Sequence, residues 1–250
     1  MTTASSERTR SASRGREPRA KSRRLTMHAA TAILSLSTTV LLTAGLHYEN
    51  EANAAPHLTG GSKIPAAAIA WGAVTTVLIP VLQATTKWPN KKATLAAGST
   101  GIAIAAGAAL TALAATMEAG HAPDSVMVDL RHQMSNYGTD PAISREIDDI
   151  QRNYACCGAQ GPGIYESARD HITGEVPSSC CANQGQPCDT LDTDQLNQGG
   201  CADPLGRELA RSLEILTALL AAHALTTGLA ATGAMLVNVG QCNRGERPRG

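Results

Sequence analysis

Four runs of the chain carry no Asp, Glu, Lys or Arg: Leu25 to Leu46, Ile64 to Ala84, Ala93 to Met117 and Ile215 to Val239. At about 1.5 Å of rise per residue, a helix over any of them reaches the ~30 Å of a hydrocarbon core. Ala, Thr, Ser and Gly dilute the Leu, Ile and Val that drive insertion, so length argues for spanning helices more strongly than content does. The alternative, a soluble bundle of Ala-rich helices, requires a charged face on each helix, and none of the four has one. Aromatic residues make up 2% of the chain and Phe is absent, which denies a soluble core of this size its usual large anchors.

Charge is balanced overall but segregated along the chain. Residues 1–24 hold eight basic groups against Glu7 and Glu17, whereas 118–211 hold six basic groups against fifteen acidic ones. Cytoplasmic flanks retain Lys and Arg. The basic start, Lys87, Lys91 and Lys92 in the middle connection, and Arg244, Arg247 and Arg249 at the far end therefore place both termini in the cytoplasm.

The expected order is a basic disordered tail (1–24), a first span (25–46), a small outer loop (47–63), a second span (64–84), a cytoplasmic loop (85–92) and a third span (93–117). A large outer loop (118–212), a fourth span (213–239) and a short tail (240–250) follow. The competing reading of the start is a targeting peptide with Ala52-Asn53-Ala54 as its cleavage site. The first apolar run is longer than a usual signal core, which favours a retained anchor. No aromatic interleaves Arg8 to Arg24, so a solvated tail is favoured over nucleic-acid binding.

Small residues recur every fourth position in each span: Thr31, Ser35, Thr39 and Thr43; Ala68, Gly72 and Thr76; Ala97, Gly101, Ala105 and Ala109; Ala224, Gly228 and Thr232. Such stripes let helix backbones approach in lipid, although so much Ala also produces them by chance. Pro80 is expected to kink the second span, and His223, the ionisable group well inside the fourth, is expected to be neutral and hydrogen-bonded.

Six of the seven cysteines, Cys156, Cys157, Cys180, Cys181, Cys188 and Cys201, fall in the large loop. An even number in a segment placed outside reads as a disulfide framework. Zinc fits poorly, because adjacent cysteine pairs lack the spacing of ligand pairs. Six thiols allow 15 connectivities, and spacing alone leaves them open.

The run Ile150 to Gly158 with its Cys156-Cys157-Gly158, then Pro177 followed by Cys180-Cys181, then Cys188, then Gly200-Cys201, resembles the large extracellular loop of animal tetraspanins. The order of spans and loops over about 25–242 is similar to that family too. The resemblance implies an all-α membrane protein of four transmembrane helices with a disulfide-stapled, mainly helical large extracellular loop. It also implies the pairs Cys156 with Cys201, Cys157 with Cys180, and Cys181 with Cys188. The spans depart from the family: its Asn in the first helix and its acidic or amide residues in the third and fourth are replaced here by Thr, Ser and His223.

Within the loop, Val126, Leu130, Met134 and Tyr137 share one helical face, as do Ile143, Ile147, Ile150 and Tyr154 after the start signal Asp140-Pro141. Asp203-Pro204 starts a third helix leading into the fourth span. The apolar residues between them, Ile164, Tyr165, Ile172, Leu191 and Leu196, are candidate partner contacts, with half or more expected to fill a small core. Cys242, just past the last span, is a candidate for S-acylation.

The loop holds His121, His132 and His171 but no nucleophile elbow, metal-binding His-Glu motif or phosphate loop, so neither an enzyme nor a cofactor is expected. The resulting expectation is a lateral scaffold at the plasma or endosomal membrane. Its partners are other integral membrane proteins, itself or other tetraspanins included, and membrane lipids; nucleic acid is not among them. A four-span transporter or channel using polar Thr and Ser faces is the competing class, disfavoured by the scarcity of intramembrane charge.

Overall fold

The structure is a computed structural model that describes residues 16–54, 63–87, 91–163, 165, 176–183 and 192–245. Five α-helices account for most of them: α1 (Arg16–Ala54), α2 (Ile64–Lys87), α3 (Lys91–Met134), α4 (Pro141–Tyr154) and α5 (Ala202–Gly245). Single 3₁₀ turns occupy Ser178–Cys180 and Thr193–Gln195. Four of the helices, α1, α2, α3 and α5, are long and apolar enough to cross a membrane. The described residues group into two units, one lying within 16–43, 68–111 and 219–245, the other within 44–67 and 112–218.

The helices outrun the apolar runs that nucleate them. α1 starts at Arg16 within the segment read as a disordered tail, and its Arg, Lys, Glu and Ala are good helix formers. It ends at Ala54, so the first part of the expected small loop is helical. α3 passes Met117 without a break, and α5 carries Leu205 and Leu213 in the same helix as His223. Pro80 lies inside α2, which continues on both sides of it.

In the first unit the helices meet along faces spaced alternately three and four residues apart. α1 buries Thr31, Leu34, Thr38 and Leu41, and α5 buries Leu220, His223, Thr227, Ala230 and Ala234. This spacing averages 3.5 residues and is that of left-handed coiled coils. The strict four-residue stripes fare differently. Ser35, Thr39, Thr43, Thr76 and Ala109 are exposed, and so is Thr232. At about 100° per residue, four positions overshoot a full turn by about 40°, and a stripe of four members winds out of the interface. Ala68, Gly72, Ala97, Gly101 and Ala224 remain inside it.

A Cβ placed on Gly101 meets the Ala231 Cβ at 2.6 Å, so α3 and α5 are as close there as a bare backbone permits. Gly101→Val is expected to force these helices apart at a cost of about 1 to 3 kcal/mol, lowering the melting temperature of the detergent-purified chain. An unchanged transition would place the contact elsewhere.

His223 is fully buried in this unit. Its Nε2 lies 2.9 Å from Thr75 Oγ1, whose own proton is donated to the Trp71 carbonyl at 2.7 Å. Nε2 therefore carries the hydrogen, and Nδ1 lies 3.4 Å from Ser37 Oγ, which itself donates to the Leu34 carbonyl at 3.0 Å. The imidazole thus links α1, α2 and α5 through hydroxyl groups. Trp71 makes a second polar link by donating its indole N–H to Thr111 Oγ1 at 2.9 Å.

Candidate functional site

The second unit holds the cysteine-bearing loop, and its local order follows from start and stop signals in the chain. Asp140 caps α4 by accepting from the Ala142 N–H at 2.8 Å and the Ile143 N–H at 3.4 Å, with Pro141 in the first turn. α4 ends where Ala155 adopts a left-handed conformation, φ 48°, which turns the chain directly into Cys156-Cys157. Ile143, Ile147 and Ile150 are buried along one face of α4, while Tyr154, read as part of that face, is exposed.

Cys156 is joined to Cys201 with Cα atoms 5.1 Å apart, and Cys157 to Cys180 with Cα atoms 4.9 Å apart. Cys181 is also disulfide-bonded, with its partner outside the described residues. Cys188, the partner that the resemblance implies, lies outside them as well. The cystines sit at the centre of a small core with Leu130, Met134, Ile147, Tyr165 and Leu196. Sulfur here takes the volume that Phe fills in an ordinary domain of this size.

Two backbone ladders run beside the bridges. Cys157 N–H donates to the Gly199 carbonyl and Cys201 N–H to the Gly158 carbonyl, both at 2.8 Å. Cys181 and Leu196 form an antiparallel bridge, with Ala182 N–H donating to the Gln195 carbonyl at 2.8 Å. Gly158 has φ 62°, the left-handed region where glycine avoids the cost borne by other residues. Gly200 passes so close to the Gln160 backbone that a Cβ has no room. The two glycines quoted with the cysteines therefore serve chain geometry: one turns the strand after the cysteine pair, and the other admits the returning strand.

A buried polar chain crosses the same core. Tyr137 O–H donates to Asp148 Oδ1 at 2.9 Å, and Ser179 O–H donates to the same oxygen at 2.7 Å. Ser179 Oγ is also 2.6 Å from one end of the Gln151 amide, whose other end is 2.7 Å from the Tyr165 hydroxyl. The single Ser179 hydroxyl hydrogen is shared between the Asp148 carboxylate and the Gln151 carbonyl oxygen. The Gln151 side-chain N–H donates to the Tyr165 hydroxyl, and its carbonyl oxygen lies against the Ser179 hydroxyl. The path Tyr165, Gln151, Ser179, Asp148 ties α4 to the Pro177–Cys180 segment next to a cystine.

Burial pushes the Tyr165 phenol well above the ordinary tyrosine range, and burial together with its hydrogen bond to Asp148 does the same for Tyr137. A phenol whose folded pKa exceeds its unfolded value stabilises the fold fully below that unfolded value, about 10, and loses the contribution as pH rises through the folded pKa. Tyrosinate absorbance of the full chain in detergent is therefore expected to rise in two parts in alkali. The later part should coincide with loss of the loop's circular dichroism. Ionisation of all four tyrosines at ordinary pH with the fold intact would contradict this burial.

The sequence-expected partner contacts divide as follows. Tyr165 and Leu196 are buried and belong to the core, as half or more of these residues were expected to do, and neither is open to a partner in this state. Ile164, Ile172 and Leu191 lie outside the described residues. Cys242 falls in the last turns of α5. Sequence reasoning missed Gln151, Ser179 and Asp148, whose partners come from segments far apart in the chain. The one local signal was a Gln on the apolar face of an otherwise regular amphipathic helix.

The arrangement presents a cross-linked framework. Among the described residues no group of His, Cys, Asp and Glu gathers as metal ligands do.

The family model described as "Tetraspanin family" matches residues 24–242 of the chain. Among curated proteins, the CD63 antigens of Oryctolagus cuniculus and Bos taurus are each 29% identical over 91 residues. That of Homo sapiens is 26% identical over the same length. These matches cover 36% of this chain and 38% of each relative, so the chain spans well under half the length of the relatives it matches.

Proposed function

This chain belongs to the tetraspanin family, matched over residues 24–242, and we propose that it is a lateral scaffold which gathers other membrane proteins around its large outer loop. One observation carries the reading: a loop too poor in aromatics to hold itself by packing alone is stapled by cystines and a buried polar chain. Cross-linking lowers the entropy a surface loses on binding, so a preorganised loop is suited to contact with protein partners.

The chain is a multi-pass membrane protein. In this proposal the loop faces out, both termini face the cytoplasm, and the host membrane is the plasma or an endosomal one. The third bridge joins Cys181 to Cys188, and acylation of Cys242 adds about 0.8 kcal/mol of anchoring per buried CH₂. The partners are integral membrane proteins, other copies or other tetraspanins included, and they meet the segments around Ile164, Ile172 and Leu191. The protein performs no chemistry of its own.

Purification from cells in a mild detergent, followed by mass spectrometry, tests the reading. Membrane proteins that co-purify with the intact chain and are lost when the loop is replaced by an unrelated disulfide-bonded loop support it. Solute flux in proteoliposomes, with no loop-dependent partners, would replace it with the transporter.

A further inference from the structure

In the second unit a hollow of about 300 Å³ is lined by Thr116, Ala119 and Gly120 of α3 and by Glu214 and Thr217 of α5. Its polar atoms are unusual for this protein. Hydroxyls on the long helices generally donate to a carbonyl three or four residues back, as Thr116 does to Leu113 at 2.6 Å and Thr226 does to Ala222 at 3.0 Å. Thr217 Oγ1 is buried and has no hydrogen-bond partner among the described residues. Two other helical threonines, Thr94 and Thr227, share that condition, but they do not line this hollow. A buried unpaired hydroxyl costs about 1 to 3 kcal/mol and calls for a partner.

Glu214 precedes Thr217 by three residues, so the two lie on one helical face. No cation lies within ion-pair distance of its carboxylate among the described residues. Across from them, a Cβ built on Gly120 meets nothing within 4 Å, and Ala119 adds only a methyl group. Glu214 is the last charged residue before the uncharged run that begins at Ile215, which is headgroup depth for a spanning helix. Leu113 and Met117 on α3 and Ile215 on α5 are exposed apolar neighbours in sequence, suited to hydrocarbon.

We propose that this hollow binds the primary ammonium head of an amphiphile, its N–H groups shared between the Glu214 carboxylate and the oxygens of Thr217 and Thr116. The chemistry selects against a quaternary head. A trimethylammonium satisfies the charge of Glu214 but has no N–H to offer Thr217, whereas a primary ammonium has three donors. A phosphatidylethanolamine headgroup and a free long-chain amine both supply that group. The proposal does not depend on the scaffold function: a transporter with this hollow would bind the same head.

The test uses the full chain reconstituted in nanodiscs of phosphatidylcholine containing either phosphatidylethanolamine or dodecylamine, extracted into detergent, with retained amphiphile quantified by mass spectrometry. Enrichment of either primary amine over phosphatidylcholine by about tenfold is expected, and the arm showing it identifies the source. Glu214→Gln and Thr217→Val should each abolish most of the enrichment, and Thr217→Ser should restore it. Because Glu214 is exposed, its amide variant should keep the melting temperature of the parent. Equal retention of choline and amine heads, or enrichment unchanged in Glu214→Gln, would overturn the proposal.

Discussion

Replacing Cys156 and Cys201 together by serine is expected to keep the protein from the cell surface. The bridge closes a sequence separation of 45 residues, for which chain-entropy arguments give about 4 kcal/mol. The Cys157–Cys180 bridge lies within that closure and does not add independently. Two buried serine hydroxyls in the core would raise the cost further. A loop of modest size with a core built around cystine cannot absorb that loss. The variant should accumulate intracellularly and be readily cleaved by protease in the loop, while parental protein in the same cells reaches the surface. Normal surface display of the double variant would show that packing and the polar chain suffice without this bridge.

Tyr165 provides the second large effect and separates packing from hydrogen bonding. Its ring is fully buried, meets Tyr137 edge-on at a centroid distance of 5.7 Å, and its hydroxyl ends the chain through Gln151. Tyr165→Ala is expected to destabilise the loop by about 3 to 5 kcal/mol, the range for emptying a buried aromatic site. Tyr165→Phe keeps the ring and leaves the Gln151 amide short of one partner, at about 1 to 3 kcal/mol. Hydrogen exchange of α4 amides in the full chain should rank the variants in that order. Equal exchange in the parent and Tyr165→Ala would mean that this residue is not a keystone of the loop.

The parts of the fold that were legible in sequence are those encoded over short windows. Four charge-free runs marked spanning helices because burial in lipid forbids charge along the whole helix. Asp140-Pro141 marked the start of α4 because a carboxylate at that position caps free N–H groups. What depends on three-dimensional proximity was not legible. Nothing local pairs Gln151 with Tyr165 or Ser179, and nothing local shows that Gly200 lies against Gln160.

Helix faces fell between these cases. The residue types of the interface were correct, but a four-residue repeat drifts where a 3.5-residue repeat holds, so Ser35 and Thr39 lie outside while Leu34 and Thr38 lie inside. The start of α1 at Arg16 went unread because basic, solvated residues also make good helices. Which of the loop's apolar residues fill its core was left open, and Tyr165 and Leu196 do. In a segment rich in polar and turn-forming residues, the few apolar side chains are the ones the core recruits first.

In the proposed topology a membrane divides the chain and leaves its cysteine-rich loop in an oxidising compartment. Intact cells expressing the full chain can be treated with a membrane-impermeant maleimide before and after an impermeant reductant, and the labelled cysteines mapped by mass spectrometry. No labelling of Cys156, Cys157, Cys180, Cys181, Cys188 or Cys201 before reduction, labelling of them after it, and none of Cys242 at either stage is the expected result. Labelling of the six only after permeabilisation, or without any reductant, would contradict it.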